Sequence, residues 1–165
     1  MSEEDNRTLR KCVRVIITNG KTILLCKKYI KGKFSSYIFP GGGFDNGDDL
    51  INTAVKECLE EVGILIKNVK PLGLEITHEF EFDKPERAKL YKGSTDIWVT
   101  AEFVRKDDTK HDSEGDAVPY SWETMKTARE KINSASDKEY IPDKMEALNK
   151  LEEMIKDKKS IEKWW

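Results

Sequence analysis

Cysteine is scarce in this chain. It has three, Cys12, Cys26 and Cys58; no two form a C-x-x-C pair, and each lies within an apolar run. A disulfide framework needs an even set, and a zinc site needs clustered thiols, so neither is expected. The three read as reduced core residues of a cytosolic protein. Long apolar runs are also missing: none approaches the roughly 20 residues of a membrane span. The opening Met-Ser-Glu-Glu-Asp-Asn-Arg lacks the apolar core of a signal peptide. No membrane contact and a cytoplasmic location are therefore expected. There is no excess of either charge, since 29 basic and 31 acidic residues leave a net charge of −2. That balance argues against a general nucleic-acid coat. With 38% hydrophobic residues, it also argues against a disordered chain. Internal repeats and low-complexity linkers are absent, and 165 residues suit one domain. The expected layout is a frayed polar segment at 1–8, a single domain at 9–158 and a tail at 159–165. The tail ends in Trp164-Trp165, which dock on the domain or on a partner.

What is present reads as alternating strands and helices. Cys12–Thr18 is rich in β-branched residues and Thr22–Cys26 is apolar. Asn19-Gly20 between them is the dipeptide favoured by a two-residue type I′ turn, so a hairpin is expected there. Residues 30–36 read as a loop. Tyr37-Ile38-Phe39 reads as a short strand stopped by Pro40, followed by Gly41-Gly42-Gly43 and the polar turn Asp45-Asn46-Gly47-Asp48. A helix is predicted over 49–62, with Ile51, Ala54, Val55, Cys58 and Val62 on one apolar stripe and Gly63 as its stop. Leu72–Phe82 alternates as a strand, with Leu74, Ile76, Phe80 and Phe82 on one face. Residues 83–93 read as a charged loop, 96–104 as a strand, 105–115 as a polar loop and 117–122 as a short strand. Helices are predicted over 123–132 and after Pro142, the latter carrying Met145, Leu148, Leu151 and Ile155 at helical spacing. Strand hairpins mixed with helices imply an α/β (α+β) fold, an α/β/α sandwich around a mixed central β-sheet.

The helix at 49–62 carries the chemistry. At about 100° per residue, Glu57, Glu60 and Glu61 fall on one face, opposite the apolar stripe. Like charges at i, i+3 and i+4 repel by a few tenths of a kcal/mol per pair. The helix dipole also disfavours them near the C-terminus. A solvated acidic face would look the same. A divalent cation would relieve the repulsion, because Mg²⁺ takes a few carboxylate oxygens and keeps its remaining positions for water and phosphate. The glycine triplet just before the helix permits close backbone approach and strained dihedrals, so a bare carbonyl there is a further candidate ligand.

This segment resembles the signature of the Nudix hydrolases, G-x5-E-x7-R-E-U-x-E-E-x-G-U, where U is aliphatic. The chain reads Gly42, five residues, Asp48, seven residues, then Lys56-Glu57-Cys58-Leu59-Glu60-Glu61-Val62-Gly63-Ile64. Spacing holds over all 23 positions, and both glycines and all three glutamates match. Asp48 replaces Glu, Lys56 replaces Arg and Cys58 replaces an aliphatic residue. The first two concern a supporting salt bridge, with Gly42 and Gly63 as further structural support.

The resemblance implies the Nudix sandwich and hydrolysis of a nucleoside diphosphate linked to another group. It implies Mg²⁺, with Mn²⁺ as the alternative, held by Glu57, Glu60, Glu61 and the Gly41 carbonyl. Glu57 and Glu60 are the candidate bases. Glu114 or Asp116 would supply an additional acid from a late loop, or be plain loop charges. Lys27 and Lys28 would face a substrate phosphate, or form an ordinary solvent-facing pair. Tyr37 would stack on a base or cover the core. His78, in the apolar phase between Ile76 and Phe80, reads as structural, and His111 as uninvolved. Lys84, Arg87, Lys89 and Lys92 would clamp an anion or be solvated.

The expected partner is a small nucleotide: a nucleoside triphosphate, ADP-ribose, a nucleotide sugar or a dinucleoside polyphosphate. Capped RNA is the one nucleic-acid alternative. A homodimer is left open, and the competing reading is a Nudix-fold binding module without catalysis.

Overall fold

In Thr8–Thr18 (β1), Val13, Val15 and Ile17 point to one side and Ile16 to the other, and residues 15–18 are all buried. Burial on both faces marks a central strand. The structure, a computed structural model, describes residues 8–45, 47–79, 91–107, 118–135 and 140–157. The strands after β1 are Ile23–Ile30 (β2), Lys33–Ile38 (β3), Gly41–Gly43 (β4), Ile64–Glu79 (β5), Tyr91–Lys106 (β6) and Tyr120–Glu123 (β7). The helices are Leu50–Val62 (α1), Met125–Ser134 (α2) and Ile141–Lys156 (α3).

All seven strands share one sheet, in the order β3-β2-β1-β6-β5, with β4 paired to β1 and β7 to β2. Among the described residues, β1 and β6 run parallel and the other pairs are antiparallel. One face packs Val13, Val15, Ile17, Leu24, Cys26 and Val99 against Ala54, Cys58 and Val62 of α1. The other packs Ile16, Leu25, Phe39 and Trp98 against Ala128 and Ile132 of α2 and Leu148, Leu151 and Ile155 of α3. The expected sandwich with a mixed sheet is what forms.

Several local expectations change. The β1–β2 connection is not a type I′ turn, because only Gly20 has positive φ (98°). Instead, Asn19 Oδ1 accepts from the backbone N–H of Lys21 (3.2 Å) and Thr22 (2.8 Å). The side chain closes a four-residue loop without the left-handed backbone that costs any non-glycine residue energy. The tight turn lies where a loop was expected, at Lys31-Gly32, with φ of 51° and 80° joining Ile30 to Lys33.

Strand β5 starts at Ile64, not Leu72. Pro71 and Gly73 sit inside it, which is tolerated because β5 is an edge strand whose register shifts between Lys67 and Lys70 and between Pro71 and Leu74. Similarly, β6 runs longer at both ends than the predicted 96–104. Phe80, Phe82 and the terminal tryptophans lie outside the described residues. Phe39 is not part of β3; it is buried edge-on to Trp98, with ring centroids 5.6 Å apart.

Cys12, Cys26 and Cys58 are buried and unbridged. Burial, aided by the charge of Glu61, pushes the thiols of Cys26 and Cys58 far above their ordinary range. Thiolate is the reactive form, so the native protein should react negligibly with a thiol-specific chromogenic reagent at pH 8. All three cysteines should react at once when the chain is denatured. Rapid titration of even one in the native state would contradict that burial.

Candidate active site

The three glycines of β4 are extended, not strained; none has positive φ. Gly41 is required by contact with backbone, whereas Gly42 and Gly43 face the movable ends of side chains. A Cβ on Gly41 would overlap the carbonyl of Val13, one on Gly42 the carboxylate of Glu57, and one on Gly43 the guanidinium of Arg10. This segment pairs with β1 through Arg14↔Gly41, Val13↔Gly42 and Cys12↔Gly43, and lies directly against α1. The α1 helix is well bounded. Asp49 caps it by accepting from Asn52 N–H at 2.7 Å, and Gly63 ends it with φ 65° and ψ 39°, its N–H reaching the carbonyl of Leu59. Its apolar stripe is rotated from the expected one, with Ile51 56% exposed and Thr53 buried, its hydroxyl donating to the carbonyl of Asp49.

That rotation gives the three glutamates different surroundings. Glu61 is not opposite the stripe but at its flank, where Oε2 accepts the Gly41 N–H at 2.9 Å. Burial raises its pKa, while the Gly41 hydrogen bond and Arg14 pull the other way. Glu57 is half-buried beside Gly42. Its pKa is raised by burial and then by the charges of Glu60 and Glu61, and it has no hydrogen-bond or ion-pair partner among the described residues. Glu60 is exposed. No basic residue occupies the last helical turn. Among the described residues, no three His, Cys, Asp or Glu side chains converge into a ready-made cage. Mg²⁺ does not require one, since it binds through one or two carboxylates and keeps several waters for substrate to displace. An unpartnered carboxylate and a second one anchored to the adjacent backbone fit such an ion.

Lys56 does meet Asp48, at 3.5 Å, but its closer contact is Asp45, which the sequence pattern did not single out. The Asp45 hydrogen bond is the largest cause of the raised Lys56 pKa. The turn carries two acids, and an ammonium, unlike a planar guanidinium fork, has no geometric reason to prefer the more distant. Lys27 and Tyr37 are cross-strand partners, and Lys28 pairs with Ser36. Tyr37 lies against the core and edge-on to Phe34 at 4.9 Å, so it does cover the core. None of these three shares a hydrogen bond or ion pair with the glutamates among the described residues.

His78 contacts Asp143 of α3 and packs on Tyr140, which suits a structural role. Lys92 is exposed. Lys84, Arg87, Lys89, His111, Glu114 and Asp116 lie outside the described residues. Two further residues had no part in the sequence pattern. Arg14 lies 3.8 Å from Asp96, and its charge reaches Glu61. Asp96 is held up by burial against the pull of Arg14. Their only sequence signal was two basic residues, Arg10 and Arg14, in phase with Ile16 on β1.

Two outcomes follow from these contacts. First, a carboxylate whose pKa is raised on folding stabilises the fold only in its protonated form, so its contribution fades as pH rises through the folded value. In chelator, Glu57→Gln should therefore raise the melting temperature at pH 7 by about 1–2 °C, after discounting for exposure. The gain should shrink at pH 4, and a lower melting temperature at pH 7 would contradict that sign. Second, in double-mutant cycles followed by thermal melting, Lys56→Ala should couple more strongly to Asp45→Ala than to Asp48→Ala. Equal additivity in both cycles would mean that neither contact ties the turn to α1.

Comparison with known proteins agrees with this geometry. The NUDIX domain family model matches residues 8–144. The RNA pyrophosphohydrolase of Dinoroseobacter shibae is 27% identical over 113 residues, 62% of this chain and 70% of that protein. The RNA pyrophosphohydrolase of Caulobacter vibrioides is 30% identical over 112 residues, 63% of each. Among solved structures, an ADP compounds hydrolase superposes with a TM-score of 0.70 at 18% identity, covering 94% of this chain and 77% of the other. A NUDIX hydrolase from Nitrosomonas europaea does so at 0.64 and 16%, covering 88% and 89%. The family-model match over residues 8–144, together with these relatives, makes this protein a member of the Nudix family and a pyrophosphohydrolase of nucleoside diphosphate-linked substrates.

Proposed function

We propose that the protein is a Mg²⁺-dependent hydrolase, with Mn²⁺ as an alternative ion, that works in the cytoplasm on a nucleoside diphosphate derivative. The observation that carries this reading is the approach of Glu57 and Glu61 to the glycine strand, with one carboxylate unpartnered and the other hydrogen-bonded to Gly41. Glu57 and Glu61 would hold the ion, together with the Gly41 carbonyl, and Glu60 would join from the exposed side. A bound divalent cation neutralises pyrophosphate oxygens and lowers the pKa of the attacking water. The Gly41 N–H fixes the Glu61 carboxylate, so its position need not be found anew in each cycle. Glu57 or Glu60, neither tied by a hydrogen bond among the described residues, takes the proton from water. Lys56 holds Asp45 and Asp48 and so keeps the turn before α1 in place.

A second reading within the same chemistry is favoured by the curated relatives, which are named RNA pyrophosphohydrolases. In that reading the substrate is the 5′ end of an RNA. One panel decides between the readings: nucleoside triphosphates, ADP-ribose, a dinucleoside polyphosphate and 5′-triphosphorylated RNA, each with Mg²⁺ and Mn²⁺, with products identified. Hydrolysis of none would leave a binding module.

Mg²⁺ should also stabilise the protein without nucleotide. At about 100 times its dissociation constant an ion adds about 2.7 kcal/mol to the folded state, a shift readable in a thermal melt. Glu61→Gln should lower the hydrolysis rate by about 100-fold and flatten that Mg²⁺-dependent shift. If the variant kept the parent's rate at saturating Mg²⁺, Glu61 would not be a ligand.

A further inference from the structure

Arg10 and Arg14 of β1 stand where a sandwich normally has apolar side chains. They are in phase with Cys12 and Ile16, on the sheet face that α2 and α3 cover, and both are partly buried. Burying a guanidinium is costly unless its charge and its donors are met. Here they are met poorly. Arg10 donates to Cys12 Sγ at 3.5 Å, a weak acceptor, and has no carboxylate partner among the described residues. Arg14 has one, Asp96, but the contact is through Nε at 3.8 Å, too long for a hydrogen bond. Its terminal fork makes no hydrogen bond among the described residues. The other charged groups beside Asp96 are His78 and Asp143, which hold each other. Both guanidinium groups are thus set against a single acid.

The register of β4 on β1 places these arginines at the glycine strand. Val15 N–H donates to the Pro40 carbonyl at 2.8 Å, and Phe44 N–H to the Lys11 carbonyl at 3.0 Å. In an antiparallel ladder, those bonds make Arg14↔Gly41 and Cys12↔Gly43 the non-hydrogen-bonded pairs. Gly41 and Gly43 therefore turn their own N–H and carbonyl groups away from β1, to the edge where β4 has no strand neighbour among the described residues. Glu61 meets β4 at that edge, through the Gly41 N–H. Glu57 lies over Gly42 on the α1 side, and the guanidinium of Arg10 reaches from β1 over Gly43 on the other side. Only one glycine step separates them, so the Arg10 guanidinium and the Glu57 carboxylate are no more than about 12 Å apart. The charge of Arg14 reaches Glu61 across the same strand. The carboxylates and the guanidinium groups thus flank one free strand edge from opposite faces of the sheet.

We propose that Arg10 and Arg14 bind the terminal phosphate of a 5′-triphosphate, whose phosphate chain rounds the free edge of β4 to reach the carboxylates. This deepens the reading of Glu57 and Glu61 as the reacting end of the site and rests on it. Phosphate oxygens supply the charge that the arginines lack and match the paired donors of a guanidinium fork. A terminal phosphate carries about −1.5 to −2 charges near neutral pH, more than a phosphate bridged on both sides. Two arginines sharing one acid suit the more highly charged group. The recognised chemistry is a free triphosphate end, offered alike by a nucleoside triphosphate and by the 5′ end of an RNA. ADP-ribose and dinucleoside polyphosphates, blocked at both ends, lack it.

The test uses the full chain and inorganic tripolyphosphate in chelator, followed by titration calorimetry. The parent should bind. Arg10→Gln and Arg14→Gln should each weaken binding by about tenfold, the loss of one charge-assisted contact. Arg14→Lys keeps the charge without the fork and should recover part of the affinity. Lys33→Gln, an equal change of charge at an exposed position on β3, should leave affinity unchanged. Thermal melts without ligand establish that each variant folds. In hydrolysis with Mg²⁺, the parent should prefer triphosphates to ADP-ribose, and Arg10→Gln with Arg14→Gln should erase that preference. A nucleoside triphosphate and a 5′-triphosphorylated RNA are assayed side by side, and the one on which the larger loss falls is the source of the phosphate.

Equal affinity in the parent and the arginine variants would overturn the proposal. So would an equal loss in Lys33→Gln, which would make the contact diffuse, or a parent that hydrolyses ADP-ribose in preference to every triphosphate. Arginine-dependent binding beside a Glu61→Gln variant of full rate would keep this site and remove the carboxylate assignment. An inactive Glu61→Gln variant, beside arginine variants that bind and hydrolyse like the parent, would do the reverse.

Discussion

The site depends on the absence of a side chain at Gly41. At Gly41, β4 lies against the backbone of β1 at a distance that excludes any Cβ, and at Gly42 and Gly43 the ends of Glu57 and Arg10 occupy the space a side chain would take. From that close approach come the Glu61–Gly41 hydrogen bond, the placement of Glu57 over Gly42 and the contact of Arg10 with Gly43. Helix α1 is then held at a fixed height above the sheet, its buried Ala54, Cys58 and Val62 setting the rotation. Small residues on both sides of the contact let two backbones approach closely enough for carboxylates to bridge them.

The electrostatics follow the same geometry. Burial beside β4 disfavours the charged forms of Glu57 and Glu61, and mutual repulsion adds to this at Glu57. Arg14 supplies a partial counter-charge from β1 but is shared with Asp96. Among the described residues, the site carries more negative charge than basic side chains balance. That is the condition under which a divalent ion binds without a full cage of protein ligands.

Much of this was legible in the sequence. The apolar stripe, the Gly63 stop, the three glutamates and the 23-residue spacing from Gly42 to Ile64 identified the helix and its chemistry, and β-branched and apolar runs located most strands. What was not legible depended on tertiary placement. Asn19-Gly20 suggests a type I′ turn locally, yet Asn19 closes a wider loop with its side chain. Pro71 and Gly73 argue against a strand until the segment is known to lie at a sheet edge. Ile51 looked like a core residue by period alone, but the packing of α1 on β4 turned it outward. Asp45 looked no different from any other turn acid, and only the fold brings it to Lys56.

The parallel pairing of β1 with β6 sets an order of events. Residues from Thr8 to Thr18 bond to partners more than 80 positions later, at Tyr91 to Glu102. During synthesis, the glycine strand, its helix and all three glutamates leave the ribosome while β1 still lacks the neighbour that makes it a central strand. Closing so long a segment is entropically costly and slow relative to local hairpins. The β2–β3 hairpin and α1 can therefore form early, whereas the geometry that aligns Glu61 with Gly41 is completed only once β6 has been made. Maturation of activity on the nascent chain is thus tied to the last long strand of the sheet, not to the segment that carries the chemistry.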